Sequence, residues 1–240
     1  SKISDGRIMW GSDESIGKLK KINTKIDTID VVFKDKYSFC ILDAKKITLL
    51  KKKDLDRLAF DFYNDSYILD QNACSSPHLV IWRGNNKSID KAKEIFWNKI
   101  NLIVEKKYFL EETHAVKKYL NFCLDASNFK DLKNYSSYKN LVNRVELNNL
   151  PSKITNLKGI FGYFYEYNCL KLSKIKNIID PKIQTITYFG FPRREIINFL
   201  KKTSSLGINR VVPVGKALNM GFVWDGFEID KKLTKLVELI

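Results

Sequence analysis

"RIMWGSDESIGKLKKI", residues 7–22, reads in one pass as strand, tight turn and helix. Arg7–Trp10 is a short apolar run, Gly11 permits the turn, and Ser12 or Asp13 can cap the helix. Ile16, Leu19 and Ile22 then recur at helical spacing. This is one unit of an α/β fold.

The same alternation continues outward. IDVVF (29–33) and YSFCIL (37–42) are short buried strands separated by Lys34-Asp35-Lys36, and the basic KKKD leads into a helix over DLDRLAFDFY. HLVIW (78–82) is a strand stopped by RGNN. Beyond Ser88, residues Ile89, Ala92, Ile95, Phe96, Ile100, Ile103 and Val104 mark one face of a long helix. A further helix covers EETHAVKKYLNFCL (111–124). Residues 125–155 are polar and read as loops around short elements. GIFGYFYEYN (159–168), QTITYFG (184–190) and NRVVPVG (209–215) are strand-like, and REIINFLKKTSS (194–205) has helical spacing. No internal repeat or low-complexity linker interrupts the series.

With 240 residues, 44% hydrophobic and 12% aromatic, the chain can bury a sizeable core. No apolar stretch is long enough to cross a bilayer, and SKISDGRIMW lacks the order of a secretory signal, so a cytoplasmic location is expected. The chain starts without methionine and runs at once into a strand with no preceding partner, so it reads as a piece of a longer protein. The cysteines at 40, 74, 123 and 169 lie too far apart for a zinc or disulfide framework, which implies reduced thiols and no metal. The formal charge of +15 raises the alternative of a basic nucleic-acid-binding module. The lysines are scattered, however, and their densest runs, KKKD and LKLSKIKN (170–177), are short, so charge alone does not favour nucleic acid as a partner.

Cys74 stands apart, in "DQNACSSPHLVIW" (70–82). A turn over Ser75-Ser76-Pro77 that aims backbone N–H groups at the sulfur would stabilise a thiolate and make it a nucleophile. On composition alone, the reading of Cys74 as a small buried apolar residue is the favoured one.

The segment resembles the nucleophile segment of the aldehyde dehydrogenase superfamily, in which Gln-x-x-Cys turns briefly and enters a strand. The resemblance is closest to the long-chain acyl-CoA reductase family, which includes the fatty acid reductase subunit of bacterial bioluminescence. QTITYFG and GINRVVPVGKALNMGFVWDGFEI (207–229) resemble the same family, in the same order, from about Arg7 to the end. The resemblance implies an aldehyde dehydrogenase-like α/β fold. Residues 1–69 would be the C-terminal part of a Rossmann-type dinucleotide-binding domain, and residues 70–240 the catalytic domain.

It also implies a two-step reduction. Cys74 attacks an activated acyl group, forms a thioester, and hydride from NADPH then releases a fatty aldehyde. The backbone N–H of Cys74 would help hold the oxyanion. "WGSDESIG" resembles the family's Gly-Ser turn, which brings Gly11 and Ser12 to the cofactor pyrophosphate. By itself that turn is an ordinary helix start, and Asp13 and Glu14 would repel phosphate if they pointed inward. Oxidising members of the superfamily carry a glutamate that activates water. Here Phe33 falls near that position, with Asp35 within a residue or two of the alignment, and loss of the base fits an enzyme that does not hydrolyse its acyl group. The implied partners are acyl-CoA or another activated acyl donor, an acyl-protein synthetase, and further copies of the chain. A complete member would carry about as much chain again before Ser1, supplying most of the Rossmann sheet and the oxyanion-hole side chain. That leaves activity of this piece alone open, and a catalytically silent interaction domain with the same fold remains the second alternative.

His78 suggests a Cys-His dyad, but an extended chain after Pro77 favours a structural or surface role. His114 is expected to be solvated, and Trp224 and Asp225 to serve packing. Cys40, Cys123 and Cys169 each have a packing explanation, so alkylation is expected at Cys74 first.

Overall fold

The strand–turn–helix at the start is present in the computed structural model, which describes residues 3–203 and 207–239. β1 (Gly6–Trp10) leads into α1 (Asp13–Lys20) and then β2 (Ile29–Phe33), with β1 and β2 paired in parallel from Gly6↔Ile29 to Trp10↔Phe33. Ser12 caps α1 by accepting from Ser15 N at 3.1 Å. Arg7 holds Asp30 across the pair through two hydrogen bonds of 2.7 Å. Of the three apolar positions expected on the helix face, Ile16 is buried, whereas Leu19 and Ile22 are exposed.

From Tyr37 to Leu218 the chain forms a second, larger unit. Its elements are β3 (Tyr37–Asp43), α2 (Ala44–Thr48), α3 (Lys52–Ser66), β4 (Pro77–Arg83), α4 (Asn86–Lys107), α5 (Glu112–Asn128), β5 (Leu132–Tyr138), β6 (Val142–Leu147), β7 (Tyr163–Cys169), β8 (Ile183–Phe189), α6 (Arg193–Lys202) and β9 (Arg210–Pro213). Seven strands form one sheet in the order β5-β6-β7-β4-β3-β8-β9, parallel throughout except for β5 with β6. β3 is buried along its whole length because both faces of the sheet are covered. Cys40 and Leu42 face one core with Val80, Trp82 and Phe96, while Phe39 and Ile41 face another with Leu79, Ile81 and Phe199. β3 and β4 are neighbours in this sheet, so residue 70, read as a division between domains, falls inside the larger unit.

Two stretches differ from the sequence reading. Within residues 125–155, β5 and β6 form an antiparallel hairpin closed at Lys139-Asn140, both with positive φ (48° and 55°), where Leu141 N donates to Tyr138 O at 2.8 Å. α5 is turned over: Val116, Tyr119, Leu120 and Leu124 are exposed, while Lys118 and Asp125 are buried. Cys123 is therefore exposed rather than packed. His114, expected in solvent, is half-buried and stacks on Phe161 at 3.8 Å between ring centroids. The last two residues of the helix read over 194–205 lie outside the described residues.

The chain from Asn219 onward belongs to the smaller unit. β10 (Val223–Trp224) and β11 (Phe227–Glu228) form a hairpin through Asp225 and Gly226, both with positive φ, followed by α7 (Ile229–Leu233). Trp224 is buried, and Phe227 stacks on Phe33 at 5.6 Å. Among the described residues, no helix is long and apolar enough to cross a membrane. Nor does any group of three or more His, Cys, Asp or Glu among them suit a metal ion.

Candidate active site

Cys74 lies on the turn that joins α3 to β4, where Ser76 N donates to Ala73 O at 2.9 Å. The turn is anchored by buried polar groups. Gln71 donates from Nε2 to Pro77 O and Tyr163 O, both at 3.0 Å, and accepts at Oε1 from Gly162 N (3.1 Å) and Tyr163 N (3.2 Å). Both protons of its amide nitrogen are thus used, and its oxygen accepts twice. Ser76 Oγ donates to Asp65 O at 2.8 Å. Burial pushes the Asp65 carboxyl up to about 6, although Gly215 N and Ala217 N donate to it.

The thiol itself is half-buried. Gln184 Nε2 donates to Cys74 Sγ at 3.2 Å. Ser38 Oγ donates to Cys74 O at 2.6 Å and accepts from Thr185 N at 3.0 Å. Ser38 is the second residue of β3 and Gln184 the second of β8, and Cys74 precedes β4 by three residues. Three adjacent parallel strands therefore bring their amino ends to one thiol. The carboxyl ends of the same strands carry a separate cleft of about 1020 Å³ around Asp43, Arg83 and Phe191.

Ser38 and Gln184 escaped the sequence reading. Their only signal is a polar residue near the start of an otherwise apolar strand. The loop before β7 escaped it too. Gln71 ties that loop to the cysteine turn, Phe161 and Gly162 have φ of 54° and 79°, and a Cβ at Gly159 would lie 1.7 Å from Tyr163 O. The two glycines of GIFG are the trace of that close approach.

His78 does not form a dyad through Nδ1, which bonds Gly159 O at 2.9 Å, and its ring stacks on Tyr37 at 5.3 Å. Burial drives its pKa down to about 4. Cys40 is buried and its thiol is pushed up; Cys169 is likewise pushed up, to about 11. Cys123 is open to solvent, so access alone does not single out Cys74.

In the smaller unit, Gly11 and Ser12 occupy the junction from the carboxyl end of β1 to the first turn of α1, and both are exposed. A Cβ at Gly11 would lie 3.3 Å from Ser15 Cβ, tighter than most side chains tolerate. Such a glycine turn, opening a helix whose first N–H groups point along its axis, fits a phosphate in form. Asp13 and Glu14 in the first turn weigh against it electrostatically. Phe33 is buried, stacked on Trp10 at 4.1 Å.

Residues 1–238 match the acyl-CoA reductase (LuxC) family. The chain belongs to that family. A search of curated proteins finds no match. Among solved structures, the chain resembles the 1-pyrroline-5-carboxylate dehydrogenase from Thermus with bound NAD, with a TM-score of 0.58 and 13% identity over 93% of this chain and 46% of that one. It also resembles the delta-pyrroline-5-carboxylate dehydrogenase from Mycobacterium tuberculosis, with a TM-score of 0.58 and 10% identity over 87% of this chain and 41% of that one. Aldehyde dehydrogenase 21 from Physcomitrella patens gives 0.55 and 15% over 87% and 44%. The fold is that of the aldehyde dehydrogenases, and the chain spans less than half the length of these three structures. In this LuxC-family chain, two segments that each carry a resemblance of their own, DQNACSSPHLVIW and QTITYFG, meet at Cys74 and Gln184.

Proposed function

We propose that the protein carrying this chain reduces an activated fatty acyl group to an aldehyde, with acyl-CoA as donor and Cys74 as nucleophile. The observation that carries this reading is the half-buried thiol on a turn pinned from three strands, in a chain of the acyl-CoA reductase family. A nucleophile must be reachable yet fixed, and that combination distinguishes Cys74 from the buried Cys40 and Cys169 and from Cys123 on an open helix surface.

Cys74 Sγ attacks the acyl carbonyl carbon, the bond from that carbon to coenzyme A breaks, and coenzyme A leaves as its thiolate. The acyl group then rests on Cys74 as a thioester. A bound NADPH supplies the hydride that turns this acyl group into the aldehyde. Gly11 and Ser12 would receive its pyrophosphate, making the smaller unit part of the dinucleotide-binding domain, while the larger unit serves as the catalytic domain. By the family resemblance, Phe33 stands in the sequence position where oxidising members carry the water-activating carboxylate, so this chain would lack the base that hydrolyses the thioester.

The test is aldehyde formation from acyl-CoA by the whole protein that carries this chain. Cys74→Ser should abolish it, and NADPH should support it better than NADH. Aldehyde formation by the serine variant would overturn the reading.

A further inference from the structure

We infer that Gln184 is the hydrogen-bond donor that holds negative charge on the Cys74 sulfur. This rests on the reading of Cys74 as the nucleophile. The Gln184 amide is 1% exposed, and its nitrogen lies 3.2 Å from Sγ, close for a bond to sulfur. β8 sets its position, because the parallel pairing of Tyr37 with Ile183 brings the second residues of β3 and β8 to the same end of the sheet. Its oxygen is engaged by Thr185 Oγ1 at 3.4 Å, which leaves the nitrogen turned to the sulfur. The next residue's N–H reaches Ser38 Oγ, which in turn donates to Cys74 O, so one strand pair fixes both the carbonyl and the sulfur of the cysteine.

A buried amide suits this task. An N–H donor bonds a thiolate far better than a thiol, and so favours the charged form. Unlike histidine, it carries no proton that leaves near neutral pH. His78, the nearest histidine in sequence, bonds Gly159 O through Nδ1. During acylation the sulfur pair becomes the new C–S bond and the charge leaves with coenzyme A. When the aldehyde departs, that C–S bond breaks, its electron pair returns to Sγ, and Gln184 is in place to receive the charge. The residue is a positioning residue for the thiolate at both ends of the cycle.

The experiment measures iodoacetamide alkylation of each cysteine of this chain against pH by peptide mapping, on the whole protein that carries it. Gln184→Met keeps the side-chain length and removes the donor. It should raise the midpoint of the Cys74 profile by about one pH unit, slowing labelling at neutral pH roughly tenfold, while exposed Cys123 is unchanged. Gln184→Glu should raise it further, because a carboxylate repels the thiolate. Buried Cys40 reports the fold in each sample, and should Gln184→Met expose it, Gln184→Glu decides the question. An unchanged Cys74 midpoint in a folded variant would overturn the role of Gln184, even with Cys74 still accepting an acyl group. Failure of wild-type Cys74 to accept an acyl group would instead overturn the nucleophile.

Discussion

Gln71 and Tyr163 grip each other twice: the Gln71 amide donates to Tyr163 O at 3.0 Å and accepts from Tyr163 N at 3.2 Å. With Pro77 O and Gly162 N also engaged, this one buried side chain joins the cysteine turn to the start of β7. Gln71→Leu leaves these backbone groups without those partners in a closed space and should cost about 3 kcal/mol. Urea unfolding measures the loss. A variant as stable as wild type would show that the anchor is dispensable.

His78 makes stability depend on acid. Its folded pKa, about 4, lies below the ordinary 6.5, so its contribution is intact above pH 6.5 and is lost as pH falls from 6.5 towards 4. The full loss is about 3 kcal/mol. Asp65 acts in the opposite sense over much of this window, because its raised pKa makes the folded state take up a proton first. The clean readout is therefore the difference between wild type and His78→Asn, whose amide can still donate to Gly159 O. That difference should shift in favour of the variant as pH falls from 7 to 4.5, and a flat difference would show that the ring charges at no cost.

Lys118 is wholly buried, and its ammonium donates to Asn140 O. Burial lowers its pKa from 10.5 to about 7. Its contribution is thus present above 10.5 and is lost as pH falls through that range to 7. Between pH 9.5 and 7 the loss is about 3 kcal/mol. Lys118→Met should be more stable than wild type at pH 7, with the advantage shrinking towards pH 9.5. A variant less stable than wild type at pH 7 would mean that the bond to Asn140 outweighs desolvation.

The α/β class was legible because apolar runs such as YSFCIL and HLVIW alternate with stretches of helical spacing, and both runs are strands of the sheet. β5 was illegible because it is an edge strand that leaves Lys133, Asn134 and Ser137 exposed, the composition of a loop. α5 misled for a related reason. Val116, Tyr119, Leu120 and Leu124 face outward while His114, Lys118 and Asp125 turn in, where Asp125 meets the hydroxyls of Tyr163 and Tyr165 at 2.7 and 2.8 Å. Cys74 was visible in its own segment. Ser38 and Gln184 were not, since each belongs to a different strand and acquires its role only when β3, β4 and β8 lie side by side.

The proposed chemistry requires the acyl group to reach Cys74. Intact-mass measurement of the whole protein after mixing with acyl-CoA, without NADPH, should show a single added acyl group that maps to Cys74. If the chain lacks the hydrolytic base, as the proposed alignment of Phe33 with that position requires, the adduct should persist, decaying only slowly to free acid. No adduct, an adduct on Cys123 alone, or rapid release of free acid would contradict this chemistry.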